Sequence, residues 1–195
     1  TSVTPSITPT NSVTPSVTVS PSTCQSGSVN YNNKGTYTTG TSTLSVPWGS
    51  HQADDIGILS IISETSPPPP SGWEFVNPPV TSSSGGMIAL LTVFWKRAAS
   101  GAESDVSVTG LGLFGHGQIV TYRGAASTGW PLEVPQSTNK NTLNTTTSLS
   151  GLTAVDGCSD VLYVVGRVGT LAATEQYSGE ANASLVNLTE KIDGS

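Results

Sequence analysis

The sequence predicts an all-β protein, namely a two-sheet β-sandwich of jelly-roll type with an extended N-terminal arm. Short apolar or alternating runs recur along the chain, and clusters of Gly, Pro, Asn and Ser separate them. None of these runs shows a capped helical periodicity of useful length. Many short strands with loop-rich joints and no helices are the pattern of a sandwich built from two packed sheets.

Residues 1–23 form the predicted arm or stalk, and residues 24–195 form the predicted sandwich domain. The arm holds only Ser, Thr, Pro, Val, Ile and one Asn, in a degenerate tetrapeptide repeat. Because proline restricts φ and removes amide donors, the segment is extended. Three readings stay open, which are an O-glycosylated stalk, a disordered linker and an arm that becomes ordered against a partner.

Two sets of arm residues are candidate functional positions. The threonines of the repeat are candidate O-glycosylation positions: Thr4, Thr8, Thr14 and Thr18. The β-branched apolar residues are candidate side-chain plugs for assembly with another subunit: Val3, Ile7, Val13, Val17 and Val19. An extended chain with such side chains suits addition to the edge of another sheet.

The composition limits the partners of the protein. Charged residues make up 10% of the chain, with a net charge of −6, and Ser, Thr, Gly and Asn fill the surface instead. No Lys/Arg cluster is present to displace counterions, so nucleic acid is not expected as a partner. No apolar run is long enough for a transmembrane span. An uncharged, hydroxyl-rich surface favours an extracellular or virion-surface location.

The two cysteines, Cys24 and Cys158, lie far apart in the sequence. A disulfide between them would fasten the base of the arm to the domain and close a long loop. The alternative is two unrelated thiols in a reducing compartment. No C-x-x-C motif occurs, so zinc and dithiol redox motifs are absent.

Each predicted strand is an apolar or alternating run with a turn signal beside it. The predicted strands are residues 41–46, 55–63, 73–76, 87–98, 104–109, 118–123, 161–168 and 184–188, with a four-proline corner at 67–70. The longest run, 87–98, has the length of a helix. Its β-branched and aromatic content and its Gly-Gly lead-in favour a buried strand.

These strands carry a recognisable series of short motifs. The series is V-P at 46–47, D-D-I at 54–56, P-S-G-W at 70–73, F-W-K-R-A at 94–98, Glu103, I-V-T-Y-R-G at 119–124 and P-L-E-V at 131–134. It resembles a family of β-sandwich domains found in bacteriophage structural proteins and in large secreted bacterial surface proteins. The resemblance covers about residues 42–195, and P-S-G-W and Y-R-G are its most specific parts. It implies an architecture and a setting, and it transfers no catalytic residues.

The chain departs from that family near its end. Family members continue past the segment that resembles residues 188–193 with a Gly-rich turn and two further strands, whereas this sequence stops at Ser195. If Ser195 is the natural end, one sheet lacks a strand and its edge invites a strand from another chain. The alternative is that the sequence is a part of a longer protein.

Residues suited to catalysis or metal binding are sparse, and we expect no catalytic residues, no metal site and no cofactor. His51 and His116 stand singly in turns, where a histidine is ordinarily solvated. The sequence has no nucleophile elbow, P-loop, H-E-x-x-H or EF-hand motif. The remaining candidate for calcium or for a carboxylate pair is the Asp54–Asp55 dipeptide with Glu64 or Asp105, although adjacent carboxylates at a strand start ordinarily face solvent.

Tryptophans and sequons give the remaining candidate sites. Trp73 and Trp95 lie in strand contexts and are predicted to be core residues. Trp48 and Trp130 lie in Pro/Gly-flanked loops and are candidates for stacking on a sugar, although core packing of all four is the alternative. Three N-x-S/T sequons are candidate N-glycosylation sites: Asn144, Asn182 and Asn187.

The sequence therefore predicts a non-enzymatic structural surface protein. The first hypothesis is a virion-associated subunit, a phage fibre or capsid-decoration protein, whose partners are copies of itself or other virion proteins. The alternative is a subunit of an extracellular glycoprotein filament or pilus that is polymerised by donation of the arm. A third hypothesis is a carbohydrate-binding adhesion module with glycans as partners.

Overall fold

The structure, a computed structural model, describes residues 29–84, 87–132 and 164. All regular elements in this part of the chain are strands, so the all-β prediction is confirmed. They are β1 Asn30–Lys34, β2 Thr38–Gly40, β3 Thr43–Val46, β4 Ile56–Ser63, β5 Glu74–Phe75, β6 Val80–Ser84, β7 Met87–Arg97, β8 Val106–Thr109 and β9 Gly115–Arg123. The predicted arm and the strand at 184–188 lie outside the described residues, as does 161–168 except for residue 164.

The strands form two antiparallel sheets. The larger sheet has the order β1-β9-β4-β7-β5, with β2 also paired to β9 and β6 also paired to β7. The smaller sheet pairs β3 with β8. Because β4 lies between β7 and β9, the most apolar strands occupy the centre of the larger sheet. The jelly-roll connectivity stays a prediction.

The smaller sheet covers one face of the larger sheet, which we call the inner face. Leu59 and Ile61 of β4 point to this side, and the side chains between the sheets form the main core: Leu44, Val46, Trp73, Phe94, Val106, Val108, Leu111 and Ile119. The alternating burial of β3 and β8 follows from this packing, since every second residue of each strand faces the core.

The opposite face of the larger sheet, which we call the outer face, carries a second apolar cluster. Ile56 and Ile58 of β4 pack there with Trp95 of β7. A strand with apolar neighbours on both faces has no need of polar residues at alternate positions, so β4 reads as a nearly continuous apolar run. The strand assignment of the longest run is confirmed by β7.

Three strands were not predicted, and all three are edge strands. β1, β2 and β6 have the sequences NYNNK, TTG and VTSSS, which are polar and carry no apolar alternation. They are held by backbone pairing to β9 and β7. Six predicted boundaries shift inward, at 41, 55, 73, 76, 98 and 104, and the start predicted at 118 moves outward to 115. At the first of these, Ser42 has a φ of 62°, outside the β region, so β3 begins after it.

Candidate functional site: the corner cluster

One end of the larger sheet gathers most of the charged and aromatic side chains singled out by the sequence motifs. β4 begins there, and β7 and β9 end there, as the pairing of Ile56 with Arg97 and Tyr122 shows. We define the corner cluster by its members at this end: Trp48, His51, Asp55, Trp73, Lys96, Glu103 and Arg123.

A bidentate ion pair joins Asp55 to Arg123. The Arg123 Nε donates to Asp55 Oδ1 at 2.8 Å and Nη2 donates to Oδ2 at 2.7 Å. The Asp55 side chain is 1% exposed, whereas that of Arg123 is 45% exposed. The backbone N–H of Gln52 also donates to Oδ2, at 2.9 Å. These bonds fasten the loop before β4 to the end of β9.

The pKa of Asp55 is lowered in the folded protein. Burial of the carboxylate is the largest single influence and by itself raises the pKa. The hydrogen bonds from Arg123 and Gln52, with the positive charge of Arg123, outweigh it. The same pairing raises the pKa of Arg123. Asp55 is therefore held as a carboxylate and is occupied by structural partners.

A second ion pair closes the loop between β7 and β8. Lys96 Nζ lies 2.5 Å from Glu103 Oε2, and the Ala99 N–H donates to the other carboxylate oxygen at 2.7 Å. The hydrogen bond from Lys96 is the main cause of a lowered pKa at Glu103, against the opposing effect of burial. This loop is thus held by a charged side chain from the strand that precedes it.

His51 is half-buried and links two loops through its ring. Its Nδ1 lies 2.7 Å from the Gly49 carbonyl oxygen, and its Nε2 accepts the backbone N–H of Glu103 at 3.1 Å. A ring that accepts at Nε2 carries its proton on Nδ1, which donates to the carbonyl. The sequence placed this residue in a turn, and the structure adds that both ring nitrogens are in hydrogen bonds.

Trp48 lies on the inner face as a half-buried extension of the core. Its ring centroid is 4.7 Å from that of His51 and 5.2 Å from that of Trp73, and Lys96 Nζ lies 6.0 Å away. A Cβ placed on Gly57 would lie 2.5 Å from two atoms of the indole. The absence of a side chain at Gly57 therefore makes room for this ring.

Trp130, the other candidate for sugar stacking, lies on the outer face. It is 45% exposed and packs edge-on against Trp95 at 5.1 Å. Arg97 Nη2 approaches the Gly129 carbonyl oxygen at 3.4 Å beside it. Since Trp48 lies on the inner face, the structure does not bring the two candidates together into one platform.

The acidic candidates for a metal or a carboxylate pair are also separated. Asp55 is paired with Arg123, Glu64 accepts the Leu113 N–H at 2.7 Å, and Asp105 accepts the Ser45 hydroxyl at 3.4 Å. Within the described ranges, no three His, Cys, Asp or Glu residues form a group that could hold a metal ion.

His116, the second loop histidine of the prediction, lies inside β9. Its Nδ1 is 2.8 Å from the Tyr37 hydroxyl, and the two rings stack at 5.9 Å. Burial raises the pKa of Tyr37. This pair joins β9 to the segment before β2, far along the sheet from the corner cluster.

The remaining candidate sites lie outside the described residues. They are Cys24 and Cys158, the sequons at Asn144, Asn182 and Asn187, the arm threonines Thr4, Thr8, Thr14 and Thr18, and the arm plugs Val3, Ile7, Val13, Val17 and Val19. Each stays a prediction. In the described part of the chain, no helix has the length and apolarity needed to cross a membrane.

The sequence reasoning did not identify the two ion pairs. Asp55 was treated as a solvent-facing carboxylate, and neither Lys96 with Glu103 nor Arg123 was assigned a partner. The available signal was the motif series itself, because D-D-I, F-W-K-R-A, Glu103 and Y-R-G together contain all four of these residues. No family model, no curated protein and no solved structure matches the chain.

Proposed function

We propose that this chain is a non-enzymatic structural surface protein, a virion-associated subunit of the phage-fibre or capsid-decoration kind. The sandwich is displayed on, or assembled through, the arm at residues 1–23. One observation carries the proposal, namely that the most specific motif residues of the sequence converge on the corner cluster and act there as framework contacts.

The convergence involves motifs that are well separated along the chain. Trp73 of P-S-G-W packs against Trp48 at a tilted angle in the core, Lys96 of F-W-K-R-A pairs with Glu103, and Arg123 of Y-R-G pairs with Asp55. Each of these residues closes a loop or joins two strands. This supports a resemblance in architecture, as expected for a subunit whose function depends on a rigid, displayed domain.

The test is to locate the protein on the native particle. Antibody raised against the sandwich, detected by gold labelling in negative-stain images, is expected to decorate capsids or tails at regular positions. Labelling found on cell envelopes and never on capsids or tails would rule out the virion version. Antibody pre-absorbed with the purified domain is the matched control.

A second candidate function is a filament subunit polymerised by donation of the arm, and the smaller sheet supports it. Thr43 pairs with Thr109, and the Gly110 N–H donates to the Ser42 carbonyl oxygen at 3.1 Å. In an antiparallel ladder, hydrogen-bonded and non-hydrogen-bonded residue pairs alternate. The N–H and C=O groups of Ser107 therefore point away from β3. Within the described residues no strand pairs with that side of β8. An extended arm from a neighbour could pair there.

Deleting residues 1–23 is expected to leave soluble monomers, measured by light scattering after size exclusion. A finer comparison places Asp at Val17 and Val19, two plug positions, and in a matched control at Ser16 and Ser20. The first pair is expected to stop polymerisation and the second to leave it intact. Filament growth that continues without the arm would exclude strand donation.

The third candidate function is carbohydrate binding, and the exposed ring of Trp130 is what supports it. On a glycan array Trp130→Ala is expected to remove binding, while Leu113→Ala changes another exposed apolar residue and serves as the control. Binding that survives the combined replacement of Trp48 and Trp130 by Ala would remove this candidate.

A further inference from the structure

Arg97, at the end of β7, is an arginine whose charge is not neutralised within the described part of the chain. Its Nη1 and Nη2 each approach a carbonyl oxygen at 3.4 Å, that of Asp54 and that of Gly129. The two ion pairs between described residues use Lys96 and Arg123 instead. Because a guanidinium carries five N–H donors, these two long contacts leave Arg97 with both charge and donors to offer a ligand.

An exposed aromatic ring lies beside this guanidinium. Trp130 follows Gly129, whose carbonyl oxygen Arg97 approaches, and its side chain is 45% exposed. It packs edge-to-face, at 5.1 Å, against Trp95, which lies two residues before Arg97 on the same face of β7. A contact of this kind covers at most one face of a ring. Trp130 therefore presents aromatic surface to solvent next to a cation.

The space around the loop that carries this ring is open. Gly129 has a φ of 77°, and a Cβ placed on it would meet no atom within 4 Å beyond its chain neighbours. A ligand that lies against Trp130 therefore meets no described residue on the Gly129 side of the ring.

The other pairing of an indole with a cation is already occupied by framework contacts. Lys96 Nζ lies 6.0 Å from the ring centroid of Trp48, but it is paired with Glu103. The Trp48 ring packs against His51 and Trp73 on the inner face. Of the two pairings, the one on the outer face is therefore the one that a ligand can reach.

An exposed indole beside an unpaired guanidinium suits a ligand with two features. The indole face packs on a flat apolar surface, such as one face of a sugar ring, and the planar guanidinium matches a carboxylate with two parallel hydrogen bonds. A sugar that carries a carboxylate, as a uronic or a sialic acid does, offers both. Since the chain has a net charge of −6, its overall field repels anions, and a local cation has to provide the attraction.

We propose that Trp130 and Arg97 form a binding site for a carboxylated sugar residue. The indole lies against the sugar ring, and the guanidinium pairs with the carboxylate. Trp95 supports the indole, and β7 holds Trp95 and Arg97 on one face, so the sheet sets the spacing between ring and charge. This site rests on the carbohydrate-binding candidate function and gives that candidate a ligand class.

The test titrates the full chain over an array of uronate-bearing and sialylated glycans, each beside its methyl ester. Esterification removes the charge and keeps the sugar ring, so it is expected to weaken binding at least about tenfold. The acid that binds, uronate or sialate, identifies the source of the carboxylate. Raising the salt from about 0.05 to 0.5 M is expected to weaken binding of the acid and to leave the ester unaffected.

Two variants separate the contributions of the ring and the charge. Arg97→Gln is expected to weaken binding of the acid about tenfold and to leave the ester unaffected, whereas Trp130→Ala is expected to weaken both. Lys34→Gln removes an exposed cation of β1 and is the control, expected to match the unaltered protein. If Trp130→Ala loses its near-ultraviolet circular dichroism, Trp130→Leu, which keeps an apolar side chain over Trp95, replaces it with the same expectation.

The outcomes distinguish this site from the candidate function on which it rests. Equal binding of acid and ester, or binding of the acid that survives Arg97→Gln, would overturn the proposed carboxylate pairing. If binding is nevertheless lost on replacing Trp130, the carbohydrate-binding candidate stands without it. Binding of the acid that survives the replacement of Trp130 would overturn the site itself. No binding of any glycan by the unaltered chain would remove the site and the candidate function together.

Discussion

Arg123 holds the buried carboxylate of Asp55 with two parallel hydrogen bonds, 2.8 and 2.7 Å long, from a side chain that is itself half in solvent. The pair connects the first residue before β4 to the last residue of β9, which are adjacent strands of the larger sheet. A bidentate guanidinium–carboxylate pair fixes the orientation of both partners as well as their distance. The loop before β4 therefore has a defined position relative to the sheet.

The first prediction concerns this ion pair. Arg123→Gln leaves a nearly inaccessible carboxylate without its main partner, so the free energy of unfolding should fall, and by clearly more than in a variant that removes a weakly bonded arginine. The matched control is Arg97→Gln at the same end of the sheet. Among the described residues, Arg97 contacts two carbonyl oxygens, each at 3.4 Å, so Arg97→Gln should lower the free energy of unfolding by less than about 1 kcal/mol. Urea unfolding followed by tryptophan fluorescence measures both, and equal losses would contradict the assignment.

The second prediction is a loss of stability in acid. The pKa values of Asp55 and Glu103 are lowered from 3.8 and 4.5, so the unfolded chain binds protons more readily than the folded protein. Their stabilisation is complete above those ordinary values and is lost as the pH falls below them towards the folded values. The urea midpoint should therefore be level down to about pH 5 and decline below it.

The variant Asp55→Asn provides the control for that titration. It should be less stable at neutral pH. Its urea midpoint should fall less steeply in acid, because one of the two carboxyl groups with a lowered pKa is absent. A decline of unchanged steepness in this variant would mean that other groups cause the acid sensitivity.

The third prediction concerns the contact between Gly57 and Trp48. Gly57→Ala places a Cβ within 2.5 Å of the indole, so the ring must move and the free energy of unfolding should fall by about 1–3 kcal/mol. In a Trp48→Leu background, Gly57→Ala should lower the free energy of unfolding by less, because the smaller side chain at position 48 leaves space for the methyl group. A double-mutant cycle with no coupling between the two positions would show that the ring does not lie on Gly57.

The fourth prediction compares two phenylalanines whose rings lie 4.9 Å apart. Phe94 is fully buried in the main core, so Phe94→Ala should lower the free energy of unfolding by about 3–5 kcal/mol. Phe75, on the short strand β5, is 37% exposed, and Phe75→Ala should lower it by about 1 kcal/mol. Thermal unfolding of both variants tests which of the two rings lies in the core. A larger loss of stability for Phe75→Ala than for Phe94→Ala would contradict this assignment.

The sequence predicted the central strands well because their physical signal is local. β4 and β7 are long apolar runs rich in β-branched residues, and β3 and β8 alternate between core and solvent. These patterns exist before any tertiary contact is made. The polar edge strands β1, β2 and β6 have no such signal, since their pairing depends on the backbone of β9 and β7.

The corner cluster shows the same division at the level of side chains. Trp73 was predicted to be a core residue from its strand context, and it lies in the main core. The pairing of Asp55 with Arg123 was not predictable from either residue, because the partners are separated by 68 positions. Only the antiparallel register of β4 and β9 brings the two strand ends together.

By itself, the sequence determined the all-β class, the central strands and the low charge of the protein, because these depend on side-chain hydrophobicity and backbone preference at each position. The tertiary structure decided which strands pair, which face each tryptophan occupies and which carboxylates meet a cation. Trp48 and Trp130 have similar loop contexts in the sequence and yet lie on opposite faces of the larger sheet. The physical reason is that pairing between strands distant in the sequence sets the position of each loop. The register of that pairing cannot be predicted from the local sequence.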